Sequence, residues 1–482
     1  MPIESQYLQF DLPNKDLWSF MFERGQDKRF SDDHGCFQTP SYTHCGHANF
    51  GPASVIYQDV KDNRSHTFSA VKQLSVAFGN GLRKHFDWRK GDVLSIISPN
   101  DIDIAPCTYG ALYTGGIVSP ANPAYTPSEL GYMLKDSGAK VLLTATGLLP
   151  TVKEAAKLAN IPFENILVLG KERDVTTRHF LDICDRESRH MRPTLNPDQD
   201  LAFLVYSSGT TGLPKGVMLS HTNIIADVLM IGTGVGQTYD GGKDRILGIL
   251  PFYHIYGVKH LSQSVDRTSE VNAWSQPWDE WRDSIGSIGK LFPNMTAKMV
   301  GDDGNEVAVG EPGELWLRGP NVFQGYWNRP KDSEEAISRD GYFKTGDVGH
   351  IDAKGNFYDL KITDRLKELI KFNGFQVAPA ELEGLLMTHK SVADVAVVGV
   401  HDAVKHTELP RAYIVLVSGI EGSPKIAKEI MEWMKSRVAY YKQLRGGIQF
   451  VDAIPKSPTG KILRRVIKDW IAQDASRRIS KL

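Results

Sequence analysis

An α/β fold is what this sequence predicts: a large N-terminal domain of helix-covered sheets and a small α+β domain at the C-terminus. Three observations predict it. Short apolar runs at Val93–Ile97, 141–143, Ile166–Leu169, 201–205 and 246–250 alternate with helix-like stretches, the pattern of sheets covered by helices. A glycine-rich loop follows directly on the 201–205 run, as a loop does where a buried strand ends. A charge-dense run at 361–367 then separates this long pattern from a shorter one, made of 395–400, 412–417 and the helix-like 425–435.

The domains are therefore placed at residues 1–362 and 363–482, and 482 residues are enough for more than one core. Within the first domain, Thr126-Pro127-Ser128-Glu129 reads as a helix start, with Thr126 as cap, Pro127 in the first turn and Glu129 reaching back. Residues 258–278 are different in character. Their polar run from Lys259 to Glu270 has no alternating or helical apolar pattern strong enough to supply sheet strands.

Composition excludes several classes. Lys+Arg 56 against Asp+Glu 57 leaves no charge excess that would favour nucleic acid, and no apolar run approaches a membrane span. Cys36, Cys45, Cys107 and Cys184 follow neither a metal spacing nor a disulfide scaffold, which suits a reducing compartment. The first 25 residues carry acidic groups and no continuous apolar core, unlike a secretory signal.

The loop itself, Tyr206-Ser207-Ser208-Gly209-Thr210-Thr211-Gly212-Leu213-Pro214-Lys215-Gly216, reads as a phosphate-binding segment. Its glycines let backbone N–H groups approach an anion, its hydroxyls add donors and Lys215 adds a full charge. A Walker loop is excluded, because Pro214 stands where the second glycine belongs and Gly216 follows the lysine in place of Ser or Thr. A flexible Gly/Ser/Thr connector is the alternative.

With its Pro-Lys-Gly ending, the segment resembles the phosphate loop of the adenylate-forming superfamily, which includes acyl-CoA synthetases, 4-coumarate–CoA ligases, luciferases and peptide-synthetase adenylation domains. Other segments are similar to that family in the same order: Gly110 to Pro123, Pro251-Phe252-Tyr253-His254-Ile255-Tyr256-Gly257, Gly313 to Gly319, and Tyr342-Phe343-Lys344-Thr345-Gly346-Asp347. Asp364 to Lys371, Gly374 to Glu381 and Pro455-Lys456-Ser457-Pro458-Thr459-Gly460-Lys461 continue the match.

The resemblance implies an acyl-CoA ligase that uses ATP, Mg²⁺ and CoA on an aryl or medium- to long-chain carboxylic acid, with a C-terminal domain that moves between half-reactions. It implies that Lys461 is catalytic and that His254 lies where acid and nucleotide meet. Ser207, Ser208, Gly209, Thr210, Thr211, Gly212 and Lys215 would hold phosphates, Asp347 the ribose hydroxyls, and Arg365 the ribose or α-phosphate. Lys367 would be the hinge, and Lys371, Gly374 and Phe375 would face CoA. Each has a plainer alternative: a solvated lysine ahead of Arg464 and Arg465, a turn aspartate, a surface arginine, a polar face of a charged segment, a lone buried histidine beside aromatics. Metal ligands are not assigned. Ser480-Lys481-Leu482 matches the tripeptide read by the peroxisomal import receptor, which points to a peroxisomal enzyme.

One departure from the family is large. Where its members build most of the acid pocket after the histidine motif, only the polar bridge 258–278 stands here. Three readings follow: an acyl-CoA ligase; a nucleotide-binding relative, or product of faulty splicing, that lacks the acid pocket; and another user of an adenylate, luciferase-like or peptide-synthetase-like. No carrier segment follows Lys461, which counts against a peptide synthetase.

Overall fold

The computed structural model describes residues 2–7, 9–23, 52–207, 213–235, 247–248, 250–254, 274–275, 287–301, 303–361, 370–402, 405, 407–456, 462–464 and 466–471. The chain divides into two compact units. One comprises Met1–Pro123, Leu130–Tyr206 and Gly216–Lys361; the other comprises Ala124–Glu129, Ser207–Lys215 and Ile362–Leu482.

The first unit contains two sheets of opposite character. Six strands form one sheet in the order Ile166–Leu169, Ala139–Ala145, Val93–Ile97, Ile117–Ala121, Leu201–Ser207 and Lys215–Ser220. The first five of these pair in parallel. Every residue of Val93–Ile97, Ile117–Ala121 and Ile166–Leu169 is buried, because helices cover both faces of a parallel sheet and leave no solvent side. Helices Phe68–Phe86 and Ile104–Tyr113 pack so closely that a Cβ at Gly79 would lie 2.7 Å from the Gly110 carbonyl oxygen. The helix Pro127–Ser137 starts as its sequence requires: the Thr126 N–H donates to Glu129 at 2.8 Å and the Glu129 N–H to the Thr126 hydroxyl at 3.3 Å.

The second sheet of this unit has seven strands in the order Ile3–Glu4, Thr296–Val300, Gly313–Arg318, Phe343–Ile351, Phe357–Lys361, Ser287–Leu291 and Trp274–Ser275, all antiparallel. Trp274–Ser275 is a short strand inside the polar bridge, a segment whose residues carry no strand pattern; it pairs with Leu291 and Lys290. Helix His221–Val235 joins the two sheets. Ile224, Ile225, Val228 and Leu229 enter the core beside the parallel sheet, and Ala226, Met230 and Ile231 enter the core of the antiparallel one. An apolar surface all round is what a helix between two sheets needs.

In the second unit, Val392–Asp402 and Thr407–Leu416 pair antiparallel, and Gly447–Phe450 adds in parallel. Alternation assigns the faces: Val395 and Val397 pack with Ile430 and Met434 of helix Pro424–Lys435, whereas Ala396 and Val398 pack with Ile454 and Ile467.

Candidate active site

The parallel sheet starts in its middle. From Val93–Ile97 the chain steps to Ile117–Ala121 on one side, then returns to Ala139–Ala145 on the other. Such a reversal leaves a crevice at the carboxyl ends of the two strands, the usual ligand position in open α/β sheets. Asn100 follows Val93–Ile97 at that end. Its Nδ2 donates to the Gly248 and Leu250 carbonyl oxygens at 3.0 and 2.8 Å, and its Oδ1 accepts from the Phe252 N–H at 2.7 Å. This explains why the 246–250 run is no strand over the residues described there. Its carbonyls bond to a side chain instead of a ladder, and Leu247 and Leu250 lie exposed.

Phe252 and Tyr253 close a cavity lined also by Ile96, Ser98, Ile104, Val118 and Phe203. Its volume of about 10 Å³ has room for roughly one water and none for an acid's chain. His254 lies on the outside of the same turn, its N–H donating to the Pro251 carbonyl at 3.0 Å. The plainer alternative to a site role, a lone buried histidine beside aromatics, does not describe His254, which is exposed because the tight turn 251–254 carries it to the surface.

Ser207 ends the Leu201–Ser207 strand and is exposed; Lys215 opens the Lys215–Ser220 strand half-buried. Ser208, Gly209, Thr210, Thr211 and Gly212 lie outside the described residues. The exit strand is fixed from one side. The Trp327 N–H donates to the Gly216 carbonyl at 2.8 Å, the Met218 N–H to Gly325 at 3.0 Å and the Gln324 N–H to Met218 at 2.9 Å. Gly216 suits that place, since a Cβ would sit 3.0 Å from Leu204 Cδ1 and 3.2 Å from Tyr206 Cζ and would press both side chains aside.

Asp347 sits in the Phe343–Ile351 strand, where pairing with Gly313–Arg318 breaks register between Glu314 and Trp316. The cause is local. Gly346 adopts φ +75°, its N–H donates to Glu314 Oε1 at 2.9 Å, and the Thr345 hydroxyl donates to the Leu315 carbonyl at 2.7 Å. Trp316 Nε1 in turn donates to Glu314 Oε2 at 3.0 Å. The Gly313–Gly319 and Thr345-Gly346-Asp347 motifs thus form one bulge that holds Asp347 half-buried at an irregular point of the ladder.

In the second unit, Lys371, Gly374 and Phe375 belong to one hairpin. Ile370–Phe372 and Phe375–Val377 pair antiparallel, with Asn373 at φ +45° and Gly374 at φ +84° between them. Both values are left-handed, so Asn-Gly is the dipeptide this tight turn requires, a signal present in the sequence and easily missed behind the larger motif. Lys371 is exposed, and its N–H donates to Glu408 at 2.8 Å. Phe375 stacks on Tyr441 with ring centroids 4.4 Å apart and planes 13° apart.

Lys461 lies outside the described residues, as do Arg365, Lys367 and Ser480 to Leu482. The base of the Lys461 loop is described. Lys456 and Ile462 bridge antiparallel, and the Leu463 N–H donates to the Pro455 carbonyl at 2.8 Å. Arg464 is no solvated helix residue: its Nη2 donates to both oxygens of Glu383 at 2.8 and 2.7 Å. Among the described residues no group of His, Cys, Asp and Glu could hold a metal, and no helix is long and apolar enough to cross a membrane. Burial pushes the Cys184 thiol up to about 12 and raises that of Cys107, so neither is a ready nucleophile.

A family model described as AMP-binding enzyme matches residues 47–262 and 268–327, and one described as AMP-binding enzyme C-terminal domain matches 381–461. The chain belongs to the AMP-binding enzymes, and within them to the lineage of AMP-forming CoA ligases. It is 32% identical to a probable 4-coumarate–CoA ligase of Dictyostelium discoideum over 88% of this chain and 94% of that one. It is 31% identical to a phenylacetyl-CoA ligase of Aspergillus niger over 86% and 93%. Among solved structures, o-succinylbenzoate CoA synthetase of Bacillus subtilis is similar in fold with a TM-score of 0.71 at 22% identity, covering 94% of this chain and 98% of its own. The Dictyostelium alignment runs over 524 positions although it takes in only part of a 482-residue chain, so many positions of that relative stand opposite gaps. The family match itself breaks at 262–268, within the polar bridge.

Proposed function

We propose that this chain activates an aryl or medium- to long-chain carboxylic acid as its adenylate and passes the acyl group to CoA. The carrying observation is the placement of the 206–216 motif: it leaves the carboxyl end of a buried parallel strand, and its exit strand is locked by the 324–327 segment. In the first step a carboxylate oxygen bonds to the α-phosphorus of ATP, and the bond to the β-phosphate oxygen breaks, releasing pyrophosphate. One anion approaches another, so positive charge is needed where charge gathers. Lys461 is the candidate for it, Lys215 and the loop for the outgoing pyrophosphate, and Asp347 for the ribose hydroxyls. In the second step the CoA sulfur bonds to the acyl carbon and AMP leaves; Lys371, Gly374 and Phe375 are the candidates to face CoA. Mg²⁺ enters with the ATP phosphates, in keeping with its preference for substrate oxygens and water. The Ser480-Lys481-Leu482 tripeptide supports import into peroxisomes, which a fluorescent fusion with and without Leu482 would test.

The break at 262–268 favours a second reading, a nucleotide-binding relative without an acid pocket. Pyrophosphate release from ATP by the purified chain, across a panel of aryl and fatty acids, separates the two. Acid-dependent release with CoA thioester as product supports the ligase; ATP binding with no release for any acid supports the relative.

A further inference from the structure

Both ends of the 207–215 segment converge on one half-buried carboxylate. Asp136, near the end of helix Pro127–Ser137, accepts from the Tyr206 hydroxyl through Oδ2 at 2.7 Å and from Arg329 Nη2 through Oδ1 at 2.9 Å. Its carbonyl oxygen accepts from Trp327 Nε1 at 3.1 Å, and the Trp327 N–H donates to Gly216. Tyr206 enters the segment and Gly216 leaves it, so a single residue is linked to the first by one hydrogen bond and to the second by two. Arg329 also reaches the Tyr132 hydroxyl at 3.3 Å.

We infer that Asp136 is a positioning residue for nucleotide binding, which fixes the two ends of the phosphate loop by holding Tyr206 and, through Trp327 and Arg329, Gly216 in the strand Lys215–Ser220. The inference rests on the reading of this segment as a phosphate loop. Packing alone does not require the Tyr206 hydroxyl, because phenylalanine would lay the same ring over Gly216. What the hydroxyl adds is an orientation, held by an 11% exposed carboxylate. Burial and the neighbouring Asp136 raise the phenol further above its usual range, so it stays a donor at any working pH. Arg329 also balances the carboxylate charge, which would otherwise oppose a polyphosphate nearby. A loop whose N–H groups are aimed in advance binds more tightly than one ordered on binding.

The test is equilibrium binding of ATP and of adenosine to the full chain and to Tyr206→Phe, Asp136→Asn and the double variant, with thermal unfolding recorded for each. Tyr206→Phe keeps the ring and is the variant to rely on if Asp136→Asn folds poorly. The expected result is ATP bound about tenfold more weakly by each single variant, with adenosine affinity within about twofold of the parent. The double variant should lose no more than the worse single one, because both break one contact. A lowered unfolding temperature with unchanged ATP affinity, equal loss for ATP and adenosine, or additive losses would overturn the inference. If the parent chain binds no ATP, the phosphate-loop reading itself falls and this inference with it; parent binding with normal variants overturns the role of Asp136 alone.

Discussion

The loop that follows Tyr206 and the loop that precedes Ile462 carry the two motifs proposed to face phosphate, and each is flanked by an arginine–carboxylate contact of a different kind. Glu383 takes both oxygens to Arg464, each side chain about a tenth exposed, and Glu383 Oε1 also accepts from the Val397 N–H at 2.7 Å. Asp136 gives Arg329 one oxygen only, and Arg329 is 35% exposed. The first contact sits within the packing between helix Pro379–Leu386, strand Val392–Asp402 and the chain after Lys461. The second leaves its arginine about a third exposed, and its carboxylate also holds the Tyr206 hydroxyl. Removing one partner of a buried ion pair strands the other, whereas a partly exposed one falls back on water. The same chemical pair therefore serves stability in one place and alignment in the other.

The sharpest way to break this comparison leaves both bases intact and removes the group that the second loop carries. Lys461→Ala should lower acid-dependent pyrophosphate release by a factor on the order of 10³, with CoA still consuming a supplied acyl-adenylate. Equal loss of both steps would mean that the loop is structural. Glu383→Ala comes next, with an expected cost of about 3–5 kcal/mol in the C-terminal unit, read as an early separate transition in denaturant. An unchanged transition would place that pair among ordinary surface pairs.

Smaller effects sharpen the contrast. A further stabilising anchor is His221, whose Nδ1 accepts from the Leu17 N–H at 3.1 Å while the ring is fully buried. Burial pushes its pKa down to about 4, below the 6.5 of an exposed imidazole. The folded state thus favours the neutral ring, and its contribution is complete above pH 6.5 and lost as pH falls toward 4. The loss amounts to about 3 kcal/mol. His221→Gln, which does not titrate, should flatten the unfolding profile over that interval without changing ATP affinity at pH 7.5. Asp347→Ala should weaken ATP about 10- to 30-fold, the size of one lost hydrogen bond to a carboxylate, with little change in stability.

Much of this framework is legible in the sequence. The runs Val93–Ile97 and Ile166–Leu169 are strands at the bounds their apolar residues set, and the Thr126–Glu129 capping box forms as written. The family motifs show which loops matter. What the sequence hides is long-range and polar. The 246–250 run looks like a strand because nothing local reveals that Asn100 takes the Gly248 and Leu250 carbonyls. Asp136 lies 70 residues from Tyr206 and 193 from Arg329, with no motif around it. His254 belongs to a matched motif, yet its exposure is decided by the turn that precedes it.

The most direct test of the account is a rapid-quench measurement of pyrophosphate from the purified chain with ATP, Mg²⁺ and the acids of the panel, without CoA and then with it. The account predicts, for an accepted acid, a burst of about one pyrophosphate per chain that stops until CoA is added and then turns over, because the adenylate stays bound until thiol attack. No burst with any acid from a folded chain that binds ATP would contradict it.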